Sequence, residues 1–171
     1  MEDEFDRGAV KTEHMSKSIV DIMTQLSKNK GLIQLLYNNS DNPFTKIVDT
    51  DRKLIGVSDD TKISPLPFNP EAQQDDASFL RIYYNIGEFD STEVVMSGEI
   101  HIDIVVAKSL WLINDGKRSL IRPYEIMGRV FDMVGRRSAQ PIVKFEGFQH
   151  LPVNSKFDAI RLYANTFNVK G

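Results

Sequence analysis

STEVVMSGEIHIDIVVAK, residues 91–108, is the stretch that decides the fold. Val94, Met96, Ile100, Ile102, Ile104 and Val106 recur at every second position, and Gly98 is the one gap. Strand side chains alternate between faces, so these residues line one apolar face of a long strand. Glu99, His101 and Asp103 fall on the opposite face. At about 3.3 Å per residue the segment would reach roughly 45 Å, well beyond an ordinary strand. Gly98 is expected to mark a bulge or bend. The strand must either curl over the core or project beyond it.

Reading outward, FLRIYYNI (79–86) is a second strand and GEFDS (87–91) the turn between the two. Asp115-Gly116 marks a turn. Pro123 suits the first turn of a helix over 122–137, where its missing N–H costs nothing. Ile126, Met127, Val130, Phe131 and Val134 form that helix's stripe. Residues 142–148 and 157–169 are the last two strands, joined by HLPVNS. Toward the N-terminus, Ser16 or Ser18 can cap a helix running to about Ser27, with Ile19, Ile22, Met23 and Leu26 as its stripe. A second short helix follows over Leu32–Tyr37 and ends in the turn-forming run before Pro43.

Residues 1–15 are charged and aperiodic and predict a flexible acidic tail. Residues 44–78 predict an irregular arm, with two short strands at 45–49 and 53–57 and a backbone held extended by Pro65, Pro67 and Pro70. The fold class expected is α+β: an antiparallel sheet with one long amphipathic helix packed on it, preceded by a short two-helix segment and the arm. Residues 16–171 are expected to form a single domain.

Bulk numbers bound the function. The chain has 171 residues, a net charge of −3 and 41% hydrophobic residues. That balance suits one globular domain and argues mildly against a general nucleic-acid binder. Residues 1–76 hold 14 acidic and 9 basic side chains, whereas 77–171 hold 10 and 12, a polarity that favours head-to-tail packing of identical subunits. There is no cysteine, so disulfides, thiolate metal sites and cysteine nucleophiles are excluded. No signal peptide is read at the N-terminus, and no apolar run reaches the roughly 20 residues of a membrane helix. Folding in the cytoplasm is expected.

No stretch predicts catalysis. His-x-Asp at His101 and Asp103, with Glu99 beside it, could supply metal ligands, but a solvated strand face explains the same residues more simply. A metal-dependent nuclease using Glu99, Asp103 and Lys108 is the sharpest enzymatic alternative. Asp103 and Lys108 are an odd number of residues apart, so a regular strand points them to opposite faces. GxxxxGK(S/T), GxGxxG and GxSxG are all absent. His14 and His150 stand alone. Arg118, Arg122, Arg129, Arg136 and Arg137 form the one basic cluster, read as cations near a helix end, or as a patch for an acidic neighbour or for DNA passing nearby. Trp111, within SLWLIND, reads as a core edge or a buried subunit contact.

FLRIYYNIGEFDSTEVVMSGEIHIDIVVAK, RPYEIMGRVFDMV and IVKFEGFQHLPVNSKFDAIRLYANTFNV together resemble the tail-completion proteins of long-tailed bacteriophages, a family that includes tail terminators and tail-to-head joining proteins. The opening SKSIVDIMTQLSKNKGLIQLLYNNSDNPF is similar to the two-helix start of phage neck proteins. The resemblance implies a non-enzymatic virion protein: a ring subunit, hexameric in such families, that terminates the tail tube and joins tail to head. It implies as partners other copies of the chain, the tail tube protein and head-completion or connector proteins. DNA would pass through the channel without sequence-specific binding, and no membrane, cofactor or metal would be involved. A head-closure or connector-adaptor role in the same neck is the alternative. Pro65, Pro67, Phe68, Trp111, Arg136 and Arg137 are the expected subunit contacts.

Overall fold

The computed structural model describes residues 7–49, 53–72, 75–89, 91, 93 and 96–166. The elements run α1 (Arg7–Leu26), α2 (Lys30–Tyr37), β1 (Ile63–Ser64), β2 (Ser78–Phe89), β3 (Met96–Ala107), β4 (Leu112–Asn114), β5 (Ser119–Ile121), α3 (Arg122–Val134), β6 (Val143–Pro152) and β7 (Phe157–Thr166). One sheet has the order β1-β2-β3-β7-β6, and β4-β5 is a separate two-stranded hairpin.

The expected α+β layout, an antiparallel sheet under one long helix, is not what the chain adopts. The fold is mostly β, and its main sheet is mixed, because β1 pairs parallel to β2. No single long helix covers the sheet. The residues of α3 that face inward are Ile126, Val130 and Val134, too narrow a stripe for five strands. α1 and α2 add Ile19, Ile22, Leu26, Leu32, Leu35 and Leu36 to the same core. The short opening helices are thus part of the helical layer instead of a preface to it.

The alternation in the decisive stretch is real. Ile100, Ile102 and Ile104 are wholly buried, and burying each contributes about 1.5–3 kcal/mol. Val94 lies outside the described residues. β3 is central, with β2 on one side and β7 on the other from Ile100 to Ala107. Beyond Ile100 only β2 continues, pairing Ile86, Gly87, Glu88 and Phe89 with Glu99, Gly98, Ser97 and Met96. The turn expected at residue 87 therefore comes later, and a two-stranded hairpin overhangs the sheet. The register shift falls on β2 between Tyr84 and Ile86, not at Gly98. Gly98 is needed for another reason: a Cβ there would sit 2.7 Å from Cδ1 of Tyr84.

Several local expectations shift. α1 begins at Arg7 instead of Ser16, and residues 1–6 of the expected tail lie outside the described ones. Residues 45–49 form no strand, and of 53–57 only Ile55 makes an isolated bridge, to Ile63. Asn29 caps α2 by accepting the Leu32 N–H at 2.8 Å. Part of the arm is stitched into the sheet: Ile63 is fully buried, and the Phe68 ring lies 5.6 Å from Phe79 and 5.2 Å from Phe157.

Candidate functional site

The sheet has one face under the helices and a second face with two characters. Phe79, Val105 and Ala159 lie side by side on the second face, and Phe68 of the arm packs against that row. Farther along β3 the same face turns polar. Arg81, Asp103 and Arg161 form one cross-strand row, and Tyr83, His101 and Tyr163 the next.

These polar rows are not a solvated surface. Arg81, His101 and Asp103 are 2%, 2% and 5% exposed. Arg161 Nε donates to Asp103 Oδ1 at 2.8 Å, and the Tyr83 hydroxyl donates to Asp103 Oδ2 at 2.7 Å. Burial, then the hydrogen bond to Asp103, drives the Tyr83 phenol well above its usual range. The same carboxylate raises the Arg161 guanidinium. His101 lies edge-on between the rings of Tyr83 and Tyr163, at 5.7 and 5.0 Å, and its Nε2 is 2.8 Å from Glu99 Oε1. With Nε2–H donating to that carboxylate, Nδ1 is left as a bare acceptor, and it has no partner among the described residues.

Glu99, His101 and Asp103 share a face as expected, but Asp103 is committed to Arg161 and Tyr83. No group of three metal-ligating side chains is gathered among the described residues. Arg81 donates to the carbonyls of Thr61 and Asp59, which clamps the arm onto β2. Lys62 lies over the rings of Tyr37 and Phe79. Burial, reinforced by Arg81 and Arg122, lowers its ammonium pKa to about 8.

The expected arginine cluster comes apart. Arg122 is fully buried and donates to the carbonyls of Leu35, Asn38, Ser40 and Leu110. Arg129 stacks on Phe44, and a Cβ at Gly31 would sit 2.7 Å from its Nε. Arg118 pairs with Asp115, while Arg136 and Arg137 are exposed just past α3. Pro65 and Phe68 are half-buried in the arm and Pro67 is exposed. Trp111 is a half-buried core edge whose indole donates to the Val106 carbonyl at 3.0 Å and stacks on His150 at 5.0 Å. The expected contact residues therefore sit in three separate places.

Two exposed apolar features were not anticipated. The hairpin overhang carries Ile86 and Phe89, which are 60% and 68% exposed. On β4-β5, Leu112 and Ile121 are cross-strand partners, both exposed, and Tyr124 beside them makes an edge contact with Trp111. The signal for the first was an aromatic in a predicted turn. The second was hidden because the run around Trp111 reads as one continuous apolar block.

The build is therefore a mixed five-stranded sheet backed by three helices, with a hairpin overhang at one end. The profile of the YomW family matches residues 29–166, and the chain belongs to that family, a phage-derived, SPbeta-like one. No curated protein and no solved structure matches it.

Proposed function

We propose that the chain is a non-enzymatic structural protein of a tailed phage, a ring subunit that terminates the tail tube and joins it to the head. The observation that carries the reading is the β2-β3 overhang. Its paired residues extend past the end of β7 pairing and display Ile86 and Phe89 to solvent. An exposed apolar extension of this kind is an expense unless a neighbour covers it. Membership of a phage-derived family supports a virion setting. Neighbouring copies, the tail tube protein and connector proteins are the partners in this reading, with DNA passing through the ring.

A terminator sits on a tube end that would otherwise keep adding identical rings. Electron micrographs of a lysate carrying a nonsense mutation in this gene test the proposal. Overlong, irregular tails that fail to join heads are expected. Tails of uniform length beside emptied heads would overturn it in favour of head closure.

A further inference from the structure

We infer that Lys62 is a carbon dioxide site: its side-chain amine adds CO2 to form a carbamate, held by the cations and the hydroxyl gathered around it. Lys62 lies in the arm beside β1, half-buried, and its Nζ donates to the Ser78 carbonyl at 3.2 Å. The Phe79 and Tyr37 rings lie 4.9 and 5.4 Å from that nitrogen. The Arg81 guanidinium is 4.9 Å from the same Phe79 ring. Arg81 and Arg122 are both buried, and both direct their hydrogen bonds to backbone carbonyls, which do not cancel their charge. Asp60 is the carboxylate that offsets their repulsion at Lys62, and it is exposed. Ser78, whose carbonyl takes the Lys62 bond, is fully buried, and its hydroxyl has no partner among the described residues. Excess positive charge in the interior and an idle buried hydroxyl both call for an anion beside Nζ.

Addition to CO2 needs the neutral amine. Burial, then Arg81 and Arg122, lower the Lys62 ammonium to about 8 from an ordinary 10.5. At pH 8 about half of the copies therefore carry a free amine there, against roughly 1 in 300 for an ordinary lysine. The Nζ lone pair forms a bond to the CO2 carbon, one C=O π pair moves onto oxygen, and Nζ releases one proton to water. The amine and CO2 thus become a carbamate anion and H+, with nothing oxidised or reduced. The remaining N–H still donates to the Ser78 carbonyl, while the new carboxylate accepts from the Ser78 hydroxyl and lies in the field of the two guanidiniums. The side chain's charge goes from positive to negative, so the repulsion that lowered the ammonium turns into attraction. Lys62 lies where the arm joins the sheet, since its own carbonyl accepts the Leu80 N–H at 2.7 Å. Carbamylation therefore fastens the arm onto β2.

The full chain is equilibrated at pH 8 with carbon-13 bicarbonate, treated with a trialkyloxonium salt to trap carbamates as esters, digested and mapped by mass spectrometry. The terminal amine, whose ordinary pKa is about 7.7–8.0, is the internal comparator, because it is equally free to react but lacks the two arginines and the hydroxyl. The expected result is label at Lys62 in several-fold excess over the terminal amine and over every other lysine. Label at Lys62 no greater than at the terminal amine, or spread evenly over the lysines, would overturn the inference, and this measurement needs no variant to fold. Bicarbonate should also raise the melting temperature of the wild type above that in CO2-free buffer of equal pH and ionic strength, and leave Lys62→Met unmoved. An equal rise in Lys62→Met would place the effect elsewhere and overturn the assignment.

Discussion

Replacing Arg122 with alanine should remove a large share of the protein's stability. Its guanidinium reaches Leu110 O at 2.8 Å, Leu35 O at 2.7 Å, Asn38 O at 2.9 Å and Ser40 O at 3.2 Å. Leu35 belongs to the last turn of α2, whose carbonyls lack helical partners, so one side chain caps a helix and ties it to the segment before β4. A hydrogen bond to a charged donor contributes about 1.5–3 kcal/mol, and a carbonyl left buried and unpaired costs about 1–3 kcal/mol. Against that stands the cost of burying the cation, which lowers the guanidinium pKa to about 10. Water refilling the site would satisfy part of the set. The net loss expected is about 4 kcal/mol, against a total of about 5–15 kcal/mol for a domain. Arg122→Lys should cost about half as much, since a single ammonium cannot span four carbonyls. Trp111 is the only tryptophan, and its carbonyl accepts the Arg122 N–H at 2.8 Å, so urea unfolding followed by its fluorescence reads the site directly. If both variants unfold within about 1 kcal/mol of wild type, the clamp does not hold the fold together.

Asp103→Ala strips Arg161 and the Tyr83 hydroxyl of their shared acceptor and should cost about 3 kcal/mol in the same assay, while a loss near zero would mean that the network is merely surface. His101→Ala removes a ring that is 2% exposed and should cost about 2–4 kcal/mol, where a solvated strand face predicts almost nothing. Lys62 gives a pH signature. Its folded pKa of about 8 lies below the ordinary 10.5, so between those values the unfolded chain binds the extra proton and stability rises with pH. Lys62→Met should flatten that rise in melts between pH 7.5 and 9.5, and an unchanged slope would assign it to other groups. Deleting residues 61–76 removes β1, Phe68 and the carbonyl of Thr61 that holds Arg81, so the product should lack a cooperative unfolding transition. A folded deletion variant would make the arm dispensable.

Much of the fold could be read from periodicity. The helical stripe of Ile126, Val130 and Val134 and the alternation of Ile100, Ile102 and Ile104 both face the core as read. What could not be read was pairing. Alternation says which residues share a face but not which strand lies beside which, so the parallel β1 and the joint helical layer stayed hidden. The polar face of β3 was misjudged for a related reason. His101 and Asp103 look solvated in a one-dimensional pattern, and only Tyr83, Arg161 and Tyr163 from neighbouring strands bury them. Arg122 was invisible as a clamp because the four carbonyls it binds carry no sequence signature.

The central position of β3 governs how the chain folds as well as how it rests. Ile82 and Ile102, paired across β2 and β3, are 20 residues apart, while Ile102 and Leu162, paired across β3 and β7, are 60 apart. Closing the longer loop costs about 1 kcal/mol more in chain entropy. The β2-β3 hairpin therefore forms early, on a scale of about 1–10 μs, while sealing of the sheet by β7 sets the slower overall rate. In that interval the edge of β3 that later pairs with β7 is open. The finished sheet guards its outer edge with a register shift beside Gly147 and with Pro152 on β6. The half-made sheet has no such guard, so β3 is the strand most exposed to cross-pairing between newly made chains.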